Sequence, residues 1–136
     1  MIHLDLWGPY KTNTYDGHKY FLTVVDDYSR YTWIFLLRQK SDVCVSLQYF
    51  MNFTRNQFGK TAKIVRTDNG TEFINSLCEQ LFKQLEIIHQ KTCVYTPQQN
   101  GVAERKHRHI LEITRAIRLQ ANIPIKFWGH CVLAAA

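Results

Sequence analysis

The run Ala62-Lys63-Ile64-Val65-Arg66-Thr67-Asp68-Asn69-Gly70 is a short β-branched strand ending in three turn-forming residues. A helical pattern lies on either side of it. Upstream, Ser41-Asp42 marks a helix start, Val43, Leu47, Phe50, Met51 and Phe58 form an inward stripe, and Gly59 ends the helix. Downstream, residues 71–85 read as a helix with Phe73, Leu77, Leu81 and Leu85 inward. Glu72 falls in its first turn, where the helix dipole favours an anion. Residues 86–89 make a short fifth strand. Strands separated by helices pair in parallel through crossovers, which predicts an α/β fold.

The N-terminal third adds a different pattern. Ile2, Leu4 and Leu6 alternate with His3, Asp5 and Trp7, a strand with one mixed polar face, and Gly8-Pro9 ends it. Two further strands, Tyr20 to Val25 and Tyr31 to Leu37, are joined by the polar break Asp26-Asp27-Tyr28-Ser29-Arg30. Short connections predict an antiparallel meander. A polar loop from Lys91 to Gly101 precedes a helix of about five turns over residues 102–121. Asn122-Ile123-Pro124 breaks it, and a last helix starts near Ile125. The predicted order is three strands, helix, strand, helix, strand, helix. It fits a mixed five-stranded sheet flanked by helices, one of several α/β arrangements.

Composition sets the class. At 136 residues, 46% of them hydrophobic, the chain reads as one globular domain, 1–136. Lys and Arg outnumber Asp and Glu by 17 to 11, a balance that suits a polyanionic partner. Cys44, Cys78, Cys93 and Cys131 are widely spread, which argues for core thiols in a reducing compartment rather than a disulfide framework. His89 and Cys93 have the spacing of half a zinc site, with no second pair to complete it. The apolar stretch from Phe127 to Ala136 is about half the length of a membrane span, so no membrane partner is expected. It ends without a helix stop signal, which we read as a truncated C-terminus.

Three carboxylates stand out. Asp5 lies mid-strand, where aspartate is depleted; the bland reading is a solvent-facing edge residue. Asp68 sits at the C-terminal end of a strand, where sites in α/β sheets gather, but it also suits a turn. Glu104 opens the long helix, where the dipole favours it and Arg108 is an i+4 partner. On that helix Ile110, Ile113 and Ile117 share one face. Glu104, Arg108, Arg115 and Arg118 fall near the opposite side, with His107 close by. One carboxylate leading a cationic stripe suits a bound phosphate backbone. A solvated face is the alternative.

The two longer motifs raise these residues above the bland readings. Arg66-Thr67-Asp68-Asn69-Gly70-Thr71-Glu72-Phe73 and Thr96-Pro97-Gln98-Gln99-Asn100-Gly101-Val102-Ala103-Glu104-Arg105, with Asp5 in an early apolar strand, resemble the catalytic core of retroelement integrases, specifically those of copia-type long-terminal-repeat retrotransposons. The resemblance covers nearly the whole chain. It implies an RNase H-like fold and a catalytic triad of Asp5, Asp68 and Glu104 holding two Mg²⁺ ions, with Mn²⁺ able to substitute. Asp5 would bridge both ions. The implied reactions are processing of a 3′ end of the element's DNA and strand transfer into target DNA. The implied partner is double-stranded DNA, both element ends and target, bound by a homo-dimer or higher multimer. Asn69, Gln98, Gln99, Asn100, Arg105, Arg108, Arg115 and Arg118 are the expected DNA contacts. The active complex is expected in the nucleus, after a cytoplasmic particle stage. The family's N-terminal zinc-binding domain and C-terminal extension are not visible in this sequence. An RNase H-like nuclease or transposase that cuts without joining, and a non-catalytic DNA-binding or dimerisation fragment, are the alternatives. Asp26 and Asp27 match a family segment, but pairing of Asp27 with Arg30 explains them. Trp7, Trp33 and Trp128 read as core or interface residues.

Overall fold

The structure is a computed structural model describing residues 1–91 and 101–136. Five strands and four helices follow in chain order: β1 (Ile2–Trp7), β2 (Tyr20–Asp26), β3 (Thr32–Leu37), α1 (Asp42–Phe58), β4 (Ile64–Thr67), α2 (Ser76–Gln84), β5 (Ile88–Lys91), α3 (Gly101–Gln120) and α4 (Trp128–Ala135). A 3₁₀ turn at Ile125–Phe127 leads into α4. The five strands form one sheet in the order β3-β2-β1-β4-β5. β1, β2 and β3 are an antiparallel meander, and β4 and β5 run parallel to β1. This is the mixed sheet expected from the sequence.

Strand alternation divides the core in two. Leu4, Leu22, Val24 and Val65 face Val43, Leu47, Phe50 and Met51 of α1 and Cys78, Leu81 and Phe82 of α2. On the opposite face, Phe21 packs with Ile110 of α3 and with Trp128 and Val132 of α4, and Trp7, Tyr10 and Leu36 lie against that group. Trp128 also donates its indole N–H to the Thr12 carbonyl at 2.7 Å, which ties α4 to the segment after β1. Gly8 makes that segment possible. Its φ is +132°, and a Cβ there would sit 2.6 Å from the Tyr20 ring. Gly59 caps α1 in the left-handed conformation, with φ +66° and its N–H on the Arg55 carbonyl.

Several expected details differ. Ser41 makes no side-chain cap bond; Asp42 instead accepts from the Gln39 N–H at 3.2 Å. Phe58 is exposed at the last residue of α1, with its ring edge-on to Phe53 at 6.1 Å between centroids. The helix expected from residue 71 starts at Ser76, capped by Asn75, whose Oδ1 accepts from the Cys78 N–H at 3.0 Å. Glu72 therefore precedes the helix, and Leu77 is exposed while Cys78, Leu81 and Phe82 turn inward. The buried stripe of α3 is Ala103, His107, Ile110 and Thr114; of the three expected isoleucines Ile110 is in it, and Ile113 and Ile117 are half-buried beside it. Among the described residues, no helix is long and apolar enough to cross a membrane.

Candidate active site

β1 and β4 position two of the three carboxylates. Their parallel pairing sets Ile2 opposite Val65 and His3 opposite Arg66, an offset of 63 positions. Asp5 and Asp68 stand at that same offset, with the printed pairs ending at His3 and Arg66 and Asp68 lying one residue beyond β4. Neighbouring strands lie about 4.8 Å apart. Asp68 follows the last residue of β4, and its Oδ1 accepts the Gly70 N–H at 2.8 Å, which closes the Asp-Asn-Gly turn.

Glu104 approaches from α3. That helix packs on the same sheet face as Asp5, and one side of it walls a groove of about 330 Å³. Asp5, Glu104, His107, Arg108, Leu111, Glu112 and Arg115 line this groove. Asp5 and Glu104 thus share one cleft with two arginines. Asp68 is not among its lining residues. Among the described residues, Glu104 and Arg108 form no ion pair with each other.

His107 and Glu112 are the site residues that sequence reading did not single out. His107 is buried, and its Nδ1 lies 3.2 Å from Asp5 Oδ2. The other Asp5 oxygen accepts the Leu6 N–H at 3.0 Å. Both oxygens of Asp5 are therefore oriented by the protein. The His107 ring packs on Phe21 at 5.0 Å between centroids, and its Nε2 is buried with no protein partner. The signal was present in the 4-3-4 spacing of Ala103, His107, Ile110 and Thr114, which is core spacing carrying two polar residues.

The expected DNA contacts divide among several places. Arg108 and Arg115 line the groove. Arg118 lines an adjoining cavity with Trp7, Tyr10, Leu119 and Trp128, and Arg115 and Leu111 border both spaces. Arg105 points to the other flank of α3, beside Arg30, Lys106 and His109. Asn69 is exposed directly after Asp68. Gln98, Gln99 and Asn100 lie outside the described residues, as does Cys93.

The bland reading of Asp5 as a solvent-facing edge residue does not hold, because β1 is the central strand and Asp5 is half-buried. Asp27 lies 3.8 Å from Arg30 and accepts a closer bond from His3 Nε2 at 2.7 Å. That bond from His3 holds the Asp27 carboxyl below its usual range. Hydrogen bonds from Ser29 do the same for Asp26 within the hairpin. His89 bonds Thr67 Oγ1 at 2.7 Å, and burial lowers its pKa. Cys44, Cys78 and Cys131 are free thiols, and burial pushes Cys78 up to about 12.

The donor chemistry suits a hard divalent cation: carboxylate oxygens at an open groove with arginines on its wall. Among the described residues, no three His, Cys, Asp or Glu side chains gather closely enough to hold one ion. Mg²⁺ does not need such a cage. It is commonly held by one or two carboxylates together with waters and substrate phosphates, and Asp5 and Glu104 are the two carboxylates of the expected set that share the groove.

A five-stranded mixed sheet in this order, flanked by helices, is the RNase H-like fold, with Asp5 on β1, Asp68 just after β4 and Glu104 on α3. The family model described as "Integrase core domain" matches residues 1–97. The chain belongs to the integrase core family. It is 37% identical over 135 residues to the retrovirus-related Pol polyprotein from transposon TNT 1-94 of Nicotiana tabacum, covering 99% of this chain and 10% of that protein. It is 36% identical over 134 residues to the Pol polyprotein from transposon RE1 of Arabidopsis thaliana, covering 98% of this chain and 9% of that protein. The chain thus spans about a tenth of the length of these relatives. The catalytic core domain of BIV integrase shares the fold at a TM-score of 0.65 and 22% identity, over 98% of this chain and 78% of that one. A chain of the simian T-cell lymphotropic virus intasome, solved with a PP2A regulatory subunit, does so at 0.73 and 19%, over 98% and 45%.

Proposed function

We propose that this chain is the catalytic core of a retrotransposon integrase acting on double-stranded DNA. The first reaction is hydrolysis near a 3′ end of the element's DNA. The second is in-line attack of the freed 3′-OH on a phosphodiester of target DNA. The observation that carries the reading is the groove shared by Asp5, Glu104, Arg108 and Arg115. Membership of the integrase core family supports it.

Each residue has a physical task. Arg108 and Arg115 bind and orient the phosphates of the reacting strand, as guanidinium groups do. The Leu6 N–H and His107 fix the direction of the Asp5 carboxylate, so it does not reorganise when substrate arrives. The Gly70 N–H occupies one oxygen of Asp68 and leaves the other to act. Asp5, Asp68 and Glu104 would hold two Mg²⁺ ions, or Mn²⁺ in their place, and the bound ions would stabilise charge on the attacking and leaving oxygens. Joining two DNA molecules suits a homo-dimer or higher multimer.

The test is a strand-transfer assay with the whole integrase, Mg²⁺ and duplexes ending in the element's termini. Wild type should cleave and join, while Asp5→Asn, Asp68→Asn and Glu104→Gln should do neither while remaining folded. Cleavage without joined product would mean a nuclease or transposase lacking transfer activity. Full activity in any one of the three variants would remove that residue from the catalytic set.

A further inference from the structure

Beside the carboxylate groove lies a smaller space that the proposed reaction leaves unused. It is a cavity of about 210 Å³ between α3, α4 and the segment that ends β1. Three aromatic rings line it, those of Trp7, Tyr10 and Trp128. We propose that this cavity receives one nucleobase, unstacked from the end of the element's DNA whose phosphate reacts at the carboxylates. The proposal rests on the DNA-joining reading and adds a base site next to the phosphate site.

Position is the first observation. The groove and the cavity adjoin across Leu111 and Arg115, which line both. Trp7 stands two residues beyond Asp5 on β1. Side chains two apart on a strand leave the same face of the sheet, about 7 Å apart along it. A base that leaves its stack beside a phosphate held at Asp5 is therefore within one nucleotide's reach of the Trp7 ring. The cost of unstacking is smallest where a base is already poorly held, and the terminal pair of a duplex stacks on one side only.

Shape is the second. Sites for drug-sized molecules commonly hold about 300–1,000 Å³. At about 210 Å³ this cavity suits a single planar ring system and excludes a base pair. Its three rings stand 5.1 to 6.1 Å apart and tilt at 36° to 69°, so they form a bent wall rather than one stack. Phe21 covers one face of Trp7 at 5.2 Å, yet Trp7 and Tyr10 stay half-buried. Aromatic side chains of this kind are what unstacked bases stack on, whatever the base.

Polarity is the third. Thr114 also lines the cavity; it is 8% exposed, and its Oγ1 is buried with no protein partner. A valine there would avoid the cost of that unpaired hydroxyl. The edge of a base carries donors and acceptors, and a hydroxyl both gives and takes a hydrogen bond. Arg115 and Arg118 complete the wall, and no acidic residue lines it. Among the described residues neither arginine is ion-paired. They stand where the phosphate that carries an inserted base would lie. An apolar side chain from a protein partner would leave the hydroxyl and both arginines unmatched.

The experiment uses the whole integrase and end-mimicking duplexes, intact or lacking one base at each terminal position in turn. End cleavage is timed for wild type, Trp7→Leu, Tyr10→Leu and Trp7→Phe, with melting curves on the same samples. On intact DNA, Trp7→Leu should cleave about tenfold more slowly than wild type, the loss expected for one stacked base. Trp7→Phe keeps a ring and should stay within about threefold. On DNA abasic at the captured position, wild type and Trp7→Leu should agree within about twofold, because neither has a base to hold. At the other abasic positions the tenfold gap should remain. Tyr10→Leu, at a half-buried ring outside the sheet, should give the same pattern and carries the test if Trp7→Leu does not fold. A gap that persists at every abasic position would overturn the inference, since Trp7 would then only support Asp5 by packing. The absence of any gap on intact DNA would overturn it as well. If wild type cleaves no end at all, the integrase reading fails and the base site with it.

Discussion

His107 offers the sharpest perturbation, because stability and activity should separate there. Replacing it with Ala removes a buried ring, and the void costs about 3 kcal/mol. The lost bond to Asp5 costs about 2 kcal/mol, while deleting the unpartnered Nε2 offsets about 2 kcal/mol. The net loss is about 3 kcal/mol, which lowers the melting temperature by about 10 °C in a chain of this size. His107→Leu fills most of the void and removes the unpartnered nitrogen, so its melting point should stay within about 4 °C of wild type. His107→Asn leaves part of the void and buries an unpartnered amide oxygen, so it should melt below the Leu variant, but its amide N–H occupies nearly the position of Nδ1 and can donate to Asp5. The two variants therefore rank in opposite order for stability and for the one contact that matters. End cleavage and joining should survive in the Asn variant and collapse in the Leu variant, with melting curves recorded on the same samples. Equal activity in the two would refute the argument, because it would mean that the bond at 3.2 Å between His107 and Asp5 does not position the carboxylate.

Two further outcomes follow from the same geometry. Millimolar Mg²⁺ should raise the melting temperature of wild type by mass action, and Asp5→Asn should lose most of that response while remaining folded; absence of any response to Mg²⁺ or Mn²⁺ in wild type would refute the metal assignment. His89 is held neutral by burial, with its folded pKa below its unfolded value of about 6.5. The unfolded chain therefore binds the extra proton, and stability present above about pH 6.5 should fall as the pH drops through the window below it. Melting across pH 5 to 8 should show this slope, and His89→Asn should flatten it.

The architecture was legible because its signals are local. A β-branched strand between two helical patterns favours parallel pairing through crossovers, and β4, between α1 and α2, does pair parallel with β1 and β5. The α2 boundary was not legible, since Thr71-Glu72 looks like a sound helix start. The decisive bonds belong to Asn75, which caps α2 with Oδ1 and returns its Nδ2 to the carbonyls of Thr71 and Glu72. Phe73 is fully buried from that turn, so counting a stripe from Phe73 put Leu77 inward where it is exposed. Phe58 misled in a similar way: its spacing fits the stripe of α1, but at the helix's last residue it is exposed.

The site itself was half legible, and the reason lies in how its face of the sheet is packed. The α1–α2 face is closed by a large apolar cluster. Among the described residues, the four buried side-chain polar atoms without a protein partner are His3 Nδ1, Thr23 Oγ1, His107 Nε2 and Thr114 Oγ1. All four belong to the other face, where β1 and β2 meet α3. Thr23 pairs directly with Asp5 across the β1–β2 ladder. An unpartnered buried polar atom costs about 1–3 kcal/mol, so hydrophobicity alone would have filled these positions with isoleucine or valine. A reading built on apolar periodicity chose Ile110, Ile113 and Ile117 for that reason and turned His107 outward. Consistency between pattern and packing fails where function overrides stability. Here it fails along one seam, and Asp5 lies in that seam.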